Sequence, residues 1–324
     1  MTRNVHRAYL PSVALTLTLS LLLACQTAAQ STPPTSAPPV ATPTTAATAS
    51  SAPLEITVRD DLGRTVKLAR APKRIVSLAP SNTELVYALG LESRLVGVDD
   101  FSDFPAAAKE KTKVGSFFQP SLEKIIELSP DLVLATSLHE KKLLPELEKQ
   151  AIPTVVFQPK DLPGVIENVL TLGKLGETAR SQELGAAYEK RLKAVSESVA
   201  KTTSRPKVFF ELSPDLYTVA PGSFIHDLLA RAGCSNIVTD ASNPFPQLSN
   251  EALVAANPEV ILIGDAAAGV TADAVRARAG WAGVDAVKKG KVAVIDADLT
   301  TRPGPRAFDG LELIFRVVHT GATG

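Results

Sequence analysis

The chain has 324 residues, of which 45% are hydrophobic, and its 34 lysines and arginines are balanced by 34 aspartates and glutamates. This length is enough for about two domains. The even charge balance argues against nucleic acid as a partner, because a protein that binds nucleic acid carries a basic stripe. Two cysteines are too few for a disulfide framework or for a four-thiolate metal site.

Residues 1–25 have the pattern of a signal peptide. Two arginines precede the apolar run Leu10–Ala24, and fifteen residues rise only ~22 Å as a helix, less than a ~30 Å hydrocarbon core. The run ends in Leu22-Leu23-Ala24-Cys25, which resembles the lipobox of bacterial lipoproteins. We therefore predict that Cys25 is lipidated and becomes the mature N-terminus. An ordinary secretory signal or an uncleaved anchor is the alternative.

Residues 26–53 consist almost entirely of alanine, threonine, serine and proline, without a charge or an aromatic ring. Such a stretch cannot bury enough apolar surface to offset the entropy of ordering it. We predict a disordered tether that holds a soluble body, residues 54–324, near a membrane.

Within this body, short β-type apolar runs alternate with helical stretches. The helix that includes Leu85 and Leu89 is preceded by Ser81-Asn82-Thr83-Glu84, which has the spacing of a capping box, and Gly90 ends it. The predicted strands are Arg74–Leu78, Leu95–Val98, Asp131–Ala135, Thr154–Phe157, Lys207–Glu211, Val260–Ile263 and Val292–Asp296. Strands separated by helices predict parallel sheets with crossover helices.

An internal repeat indicates two similar lobes. Ser121–Leu134 aligns without gaps on Ser249–Leu262, and both segments have the order cap, acidic residue, short helix, proline and buried strand. A looser match relates Glu84–Gly90 to Asp227–Gly233. We interpret the chain as two copies of one α/β lobe. Independent use of the same helix-and-strand pattern is the alternative.

Residues 179–201 lie between the two copies and have apolar side chains at helical spacing. As a helix this segment would span ~35 Å, enough to bridge two small lobes. We predict an N-terminal lobe over 54–178, a backbone helix over 179–201 and a C-terminal lobe over 202–324. The cleft between the lobes is the expected ligand site, because loops at the carboxyl ends of parallel strands meet there.

No catalytic signature is recognisable in the sequence. Dinucleotide and phosphate loops, His-Glu-x-x-His and Gly-x-Ser-x-Gly are all absent. One histidine lies in the signal, and the spacing of His139, His226 and His319 matches no metal site. His139 and His226 could face the cleft, but surface or capping roles are the more ordinary interpretation. Cys234 is predicted to be a buried, inert thiol. We expect neither an enzyme nor a resident cofactor or metal.

Four stretches resemble a known family: Pro72–Pro105, Val114–Ala135, Trp281–Asp296 and Arg302–Arg306. They are similar to the class III substrate-binding proteins of ABC importers, which carry cobalamin, ferric siderophores and haem. The Asn-Thr-Glu-Leu and Phe-Ser-Asp-Phe-Pro motifs are most similar to the cobalamin-binding branch. The resemblance implies two Rossmann-like α/β lobes with parallel sheets joined by a single long backbone helix. It also implies importer permease subunits as partners, and we expect a monomer.

The resemblance implies a role for the two acidic residues of the repeat. Glu123 and Glu251 lie in the first turn of equivalent helices. In the family, an acidic residue on each lobe docks on arginines of the permease. Without that role, each carboxylate would complement its helix dipole, for ~0.3–1 kcal/mol.

The resemblance also suggests ligand contacts. Phe117 and Phe245 match aromatic positions of the cobalamin-binding branch, and Tyr217 is a third candidate. Flat rings suit a large ligand face, although each ring could instead belong to a lobe core. Thr136 stands where the cobalamin pattern has another tryptophan, and the single tryptophan of the chain, Trp281, is predicted to be structural.

Arg302 and Arg306 flank a stiff Pro-Gly-Pro turn that leads into a helix. Two guanidinium groups there would suit an anionic or amide-oxygen partner. Pairing with Asp298 and Asp309 is the alternative.

These observations predict a membrane-tethered lipoprotein that delivers cobalamin or a related corrinoid to an ABC importer. A ferric siderophore or haem is the alternative ligand. Outside this class, the chain could be a sensor or adhesion lipoprotein that works without a transporter, or an enzyme whose site the sequence does not reveal.

Overall fold

A computed structural model describes residues 55–321, in which strands and helices alternate. The predicted signal peptide, Cys25 and the tether of residues 26–53 lie outside the described residues. Within residues 55–321, no helix combines the length and hydropathy that a bilayer crossing needs.

The first half contains a parallel sheet with two small hairpins beside it. Its strands are β1 (Ile56–Arg59), β2 (Thr65–Leu68), β3 (Ile75–Ser77), β4 (Leu95–Val98), β5 (Gly115–Ser116), β6 (Gln119–Pro120), β7 (Leu132–Ala135) and β8 (Thr154–Val156). Its helices are α1 (Pro80–Ala88), α2 (Leu122–Glu127), α3 (Leu144–Lys149) and α4 (Leu162–Gly176). The parallel sheet has the order β4-β3-β7-β8, while β1 pairs with β2 and β5 with β6 in antiparallel fashion. The four predicted strands of this half are therefore confirmed, and the hairpins are additions.

The second half repeats this arrangement. After α5 (Arg180–Val199), its strands are β9 (Lys207–Glu211), β10 (Ser235–Asn236), β11 (Val260–Ile263) and β12 (Val292–Val294). Its helices are α6 (Phe224–Arg231), α7 (Asn250–Ala256), α8 (Ala272–Arg276), α9 (Asp285–Lys288), α10 (Ala297–Thr301) and α11 (Ala307–Thr320). The sheet is parallel with the order β10-β9-β11-β12, the same order as in the first half. The two α/β lobes that the repeat predicts are thus present. In this half, β10, a polar strand of two residues, is the one strand that the sequence pattern did not predict.

Helix α5 carries the chain from one lobe to the other. Its first residue, Arg180, lies beside Gly90 of the first lobe, and its last residue, Val199, lies against Gly233 of the second. Midway, the ring of Tyr188 stacks on Phe308 of α11 with centroids 4.1 Å apart. The predicted backbone helix is confirmed. It packs along α4, which returns the chain from β8.

Each sheet buries both faces. One continuous apolar core covers one face of both sheets together with α4, α5 and α11, and a separate cluster covers the outer face of each sheet. Trp281 is fully buried in the outer cluster of the second lobe. Cys234 is buried as predicted, and burial raises the pKa of its thiol to about 12. Such a thiol is inert at neutral pH.

The predicted capping box at α1 is wrong. The helix begins at Pro80, its N-cap is Ala79, and no side chain caps it. Proline is favoured at the first helical position, so the helix starts two residues earlier than serine capping would place it. Ser81 therefore lies inside the helix, and Glu84 is free to bind elsewhere. By contrast, Ser121 and Ser249 do cap α2 and α7, through bonds from the amides of Lys124 and Ala252.

Candidate ligand cleft between the two lobes

A cavity of about 680 Å³ lies where the carboxyl ends of the two sheets face each other. The first lobe contributes the residues that follow β3, β7 and β8, and the second lobe contributes the loop before α6 and the segment around α10. The lining includes Pro80, Ser81, Thr136, Gln158, Pro159, Lys160, Leu212, Gly222, Ser223, Ile225, Asp298, Thr301 and Arg302. This is the position that the strand topology predicts.

Phenylalanine rings dominate the apolar part of the cavity. They are Phe101, Phe117, Phe118, Phe157, Phe224 and Phe245. Phe117 meets Phe118 edge to face at a centroid distance of 5.2 Å, and Phe118 meets Phe101 in the same way at 6.3 Å. We call these three rings the aromatic wall. Phe118 is 67% exposed and Phe101 is 50% exposed, so the wall offers an apolar surface of the kind that marks a binding site.

Phe245 faces the cavity from the second lobe and is 49% exposed. Tyr217 is also exposed but does not line the cavity; its backbone forms a bridge with Gln247. The structure therefore brings Phe117 and Phe245 together around one cavity and leaves Tyr217 outside it. The sequence pattern did not reveal Phe101 or Phe118, although the Phe-Ser-Asp-Phe-Pro motif and the Phe117-Phe118 pair were visible in it.

Arg302 and Arg306 are held by carboxylates of both lobes. Arg306 donates from Nε to Glu84 Oε2 at 3.0 Å and from Nη2 to Glu84 Oε1 at 2.6 Å. Arg302 donates to Asp103 Oδ1 at 2.7 Å, reaches Glu84 Oε1 at 3.4 Å and pairs with Asp298 at 2.9 Å. Burial by itself would raise the pKa of Asp103, but the hydrogen bond from Arg302 outweighs this effect and the pKa is lowered. We call these five residues the inter-lobe ion network.

The network changes the interpretation of both arginines. Arg302 lines the cavity but is shared among three carboxylates, and Arg306 does not line it, because its guanidinium packs 4.0 Å over the ring of Phe104. Pairing with Asp298, the alternative that the sequence left open, is present for both arginines. Asp309 instead binds Arg191. Two guanidiniums face three carboxylates, so the network is not a free anion receptor. Glu84, which the sequence pattern assigned to a cap, is its buried centre.

Glu123 and Glu251 occupy matching positions on the two lobes. Each is the second residue of its helix, is exposed, and follows a capping serine. Hydrogen bonds from its own backbone amide and from Ser249 lower the pKa of Glu251, so this carboxylate is charged at neutral pH. Since α2 leads into β7 and α7 into β11, the first turns of both helices lie at the carboxyl ends of the strands. The two carboxylates thus hold equivalent places on the two lobes, and neither lines the cavity.

The three histidine side chains of the described residues make hydrogen bonds within the fold. His139 binds backbone groups at Thr136 and Phe117, His226 binds the side chain of Asn236, and His319 binds the carbonyl of Ala232. Among residues 55–321, no group of three or more His, Cys, Asp or Glu side chains could hold a metal ion.

A broader groove of about 900 Å³ lies between the β1–β2 hairpin and helices α4 and α5. Its lining contains threonines, charged side chains and no aromatic ring. None of its lining residues directly follows a strand of the two parallel sheets. The inter-lobe cavity is therefore the better candidate site.

Two parallel-sheet lobes around an aromatic cleft define a solute-binding protein. Residues 75–299 match the family model described as periplasmic binding protein. An uncharacterized ABC transporter substrate-binding lipoprotein of Bacillus subtilis, YvrC, is 34% identical over 277 residues, which cover 82% of this chain and 85% of the relative.

Solved structures agree. The periplasmic vitamin B12 binding protein BtuF of Vibrio cholerae matches with a TM-score of 0.67 and 28% identity, over 76% of this chain and 96% of that one. A periplasmic heme binding protein from Pseudomonas aeruginosa matches with a TM-score of 0.68 and 29% identity, over 78% of this chain and 94% of that one. The chain belongs to the periplasmic binding protein family and is a substrate-binding protein of the ABC-importer type.

Proposed function

We propose that this protein captures cobalamin or a related corrinoid in the cleft and delivers it to an ABC importer. It would bind its ligand without transforming it. The observation that carries the choice of ligand is the make-up of the cavity lining, all of which lies within the described residues. The lining contains six phenylalanines and no tyrosine, histidine, cysteine or methionine.

This lining suits a ligand whose metal needs nothing from the protein. Protein-bound haem iron takes an axial ligand from a histidine, cysteine, methionine or tyrosine side chain. The cobalt of cobalamin already carries its own axial ligands, so a receptor needs only apolar faces and amide partners. Phenylalanine rings supply the faces, and Ser81, Thr136, Gln158 and Ser223 supply polar groups for the amides.

The charge of the cleft disfavours an anionic ferric siderophore. Arg302 is neutralised within the inter-lobe ion network. Lys160 is the other basic side chain in the lining. A polyanionic chelate would need several free cations, which this lining does not offer.

Haem is the second candidate, and one observation favours it. Tyr217 is 44% exposed, and its backbone bridges Gln247, two residues from Phe245. A small rearrangement could bring its phenol toward the cavity as an iron ligand. A heme binding protein is also among the similar structures.

The test is a titration of the purified protein with cyanocobalamin, haemin and a ferric catecholate siderophore. We expect cyanocobalamin to bind with a Kd of roughly micromolar or tighter, and Phe117→Ala to weaken it by at least about tenfold. Tyr217→Phe is the matched aromatic control and should leave cyanocobalamin binding unchanged. Tight haemin binding that Tyr217→Phe abolishes, with no cobalamin binding, would replace corrinoid by haem.

We also propose an extracytoplasmic location with a lipid anchor at Cys25. The lipobox-like sequence, the charge-free tether and the lipoprotein name of the Bacillus relative support this placement. Metabolic labelling with a palmitate analogue should mark the wild-type protein and leave Cys25→Ala unlabelled.

Finally, we propose that Glu123 and Glu251 dock on basic residues of the permease subunits. Their support is their exposure and their equivalent positions in the first turns of α2 and α7. Charged pairs across an interface set register and association rate.

A further inference from the structure

His139 lies behind the aromatic wall. It ends the 3-10 turn Ser137–His139 that follows β7, and it is 3% exposed. Its Nε2 lies 2.8 Å from the carbonyl oxygen of Phe117, and its Nδ1 lies 3.1 Å from the amide nitrogen of Thr136. Because a carbonyl only accepts and an amide N–H only donates, the imidazole is neutral with its proton on Nε2.

These two bonds join separate parts of the cleft. Phe117 lies at the tip of the β5–β6 hairpin, whose strands have two residues each. Thr136 immediately follows β7 and also lines the cavity. A hairpin this short has little stability of its own, so its tip depends on contacts with the rest of the lobe. The ring of His139 adds an edge-to-face contact with Phe117 at 5.7 Å.

From this geometry we infer that His139 is the positioning residue of the aromatic wall, and that its neutral Nε2–H form holds Phe117 and Phe118 in their ligand-facing orientation. The ligand-affinity part of this inference rests on the proposed function. Protonation would place a second N–H on Nδ1, directed at the amide N–H of Thr136. The bond from Thr136 then breaks and leaves a charged ring at a position that is 3% exposed, so the ring must turn toward water and the wall loses its support from β7.

The surroundings favour the neutral form. Burial lowers the pKa of His139, opposed by the bond to Phe117 and by the charge of Asp99. Asp99, at the end of β4, is itself buried, and burial raises the pKa of its carboxyl. The ammonium group of Lys113 donates to the backbone carbonyls of Asp99 and Ser102. The wall should therefore be held at neutral pH and released only below the ordinary histidine pKa of about 6.5.

Two substitutions of His139 test the two hydrogen bonds individually. In His139→Gln the amide nitrogen can reach the position of Nε2 and keep the bond to Phe117. In His139→Asn the amide oxygen can replace Nδ1 and keep only the bond to Thr136. A merely space-filling role would be served about equally by both variants.

The experiment measures cyanocobalamin affinity of the full chain at about pH 7.5 and about pH 5. We expect His139→Asn to bind at least about tenfold more weakly at the higher pH, and His139→Gln to stay within about threefold of wild type. Wild type should lose at least about threefold in affinity at the lower pH, whereas His139→Gln should not, because it cannot be protonated. His226→Gln is the matched control, since burial also lowers the pKa of His226 but it lies outside the cavity lining.

A second measurement does not depend on the ligand. Hydrogen exchange of residues 115–120 in the ligand-free protein should be faster in His139→Asn than in wild type and His139→Gln. If the wild type binds no cyanocobalamin, the proposed ligand fails and this exchange result still decides the role of His139. Equal exchange and equal affinity in the Asn and Gln variants, with both folded, would overturn the inference.

Discussion

Glu84 is the residue whose role depends most on distant partners. It sits in the first helix of the first lobe, and its side chain is 2% exposed against Arg302 and Arg306 of the second lobe. Arg302 lies 218 residues away in the chain. A buried carboxylate is tolerated only when it is paired, so the two arginines are what stabilise the Glu84 side chain at this buried position.

We predict that Glu84→Gln lowers the free energy of unfolding by about 3 kcal/mol, because it leaves two partly buried guanidiniums with fewer partners. Asp103→Asn is the matched control: its side chain is 45% exposed and it binds the same Arg302, so its cost should stay below about 1 kcal/mol. Urea unfolding of the purified variants measures both values. Equal losses for the two substitutions would contradict the special role of burial at Glu84.

At the scale of elements, packing of α5 against α4 anchors the linking helix to the first lobe. Gly173 of α4 lies directly against the buried Ser181 of α5, so that a Cβ at this position would overlap the serine side chain. Gly185 of α5 lies on the same interface, but a Cβ there would meet Leu170 at an ordinary 3.4 Å. A methyl group added at these two glycines should therefore have opposite effects on stability.

Gly173→Ala should destabilise the protein by about 2 kcal/mol through overpacking. Gly185→Ala should stabilise it by up to about 1 kcal/mol, since alanine is the better helix former and finds room. Thermal unfolding compares the two variants directly. A loss of stability in Gly185→Ala similar to that in Gly173→Ala would mean that the helices approach more closely than this packing implies.

At the scale of the whole molecule, the proposed function requires both lobes together. Each lobe supplies one part of the cavity and one exposed acidic residue at the first turn of α2 or α7. One carboxylate on each lobe suits a permease with two related halves. The proposed ligand contacts and the proposed docking residues are different groups, so the two roles can be separated experimentally.

We expect Glu123→Ala combined with Glu251→Ala to leave cobalamin affinity unchanged while lowering uptake in cells or vesicles that contain the cognate importer. The control is Glu127→Ala combined with Asp273→Ala, which removes one exposed carboxylate from each lobe away from the first turns of α2 and α7. Normal uptake by the first pair, or weakened ligand binding with transport otherwise intact, would speak against docking.

The sequence by itself was enough for the lobes, the linking helix and part of the site. The helical and strand periodicities, and the repeat that relates Ser121 to Ser249, are short-range patterns. They were sufficient to predict the two parallel sheets and α5. Resemblance pointed to Phe117 and Phe245, which do line one cavity. Burial of Trp281 and Cys234 also followed from the sequence.

Only the tertiary structure decided the partners of charged and polar groups. Spacing alone assigned Glu84 to a helix cap and left Arg302 and Arg306 available to a ligand, whereas folding brings all three together across the lobes. It likewise set His139 behind Phe117 and added Phe101 and Phe118 to the wall. Hydrophobic patterns repeat locally and can be read along the chain. Ion pairs and ring contacts join residues far apart in sequence, and their geometry exists only once the lobes have packed.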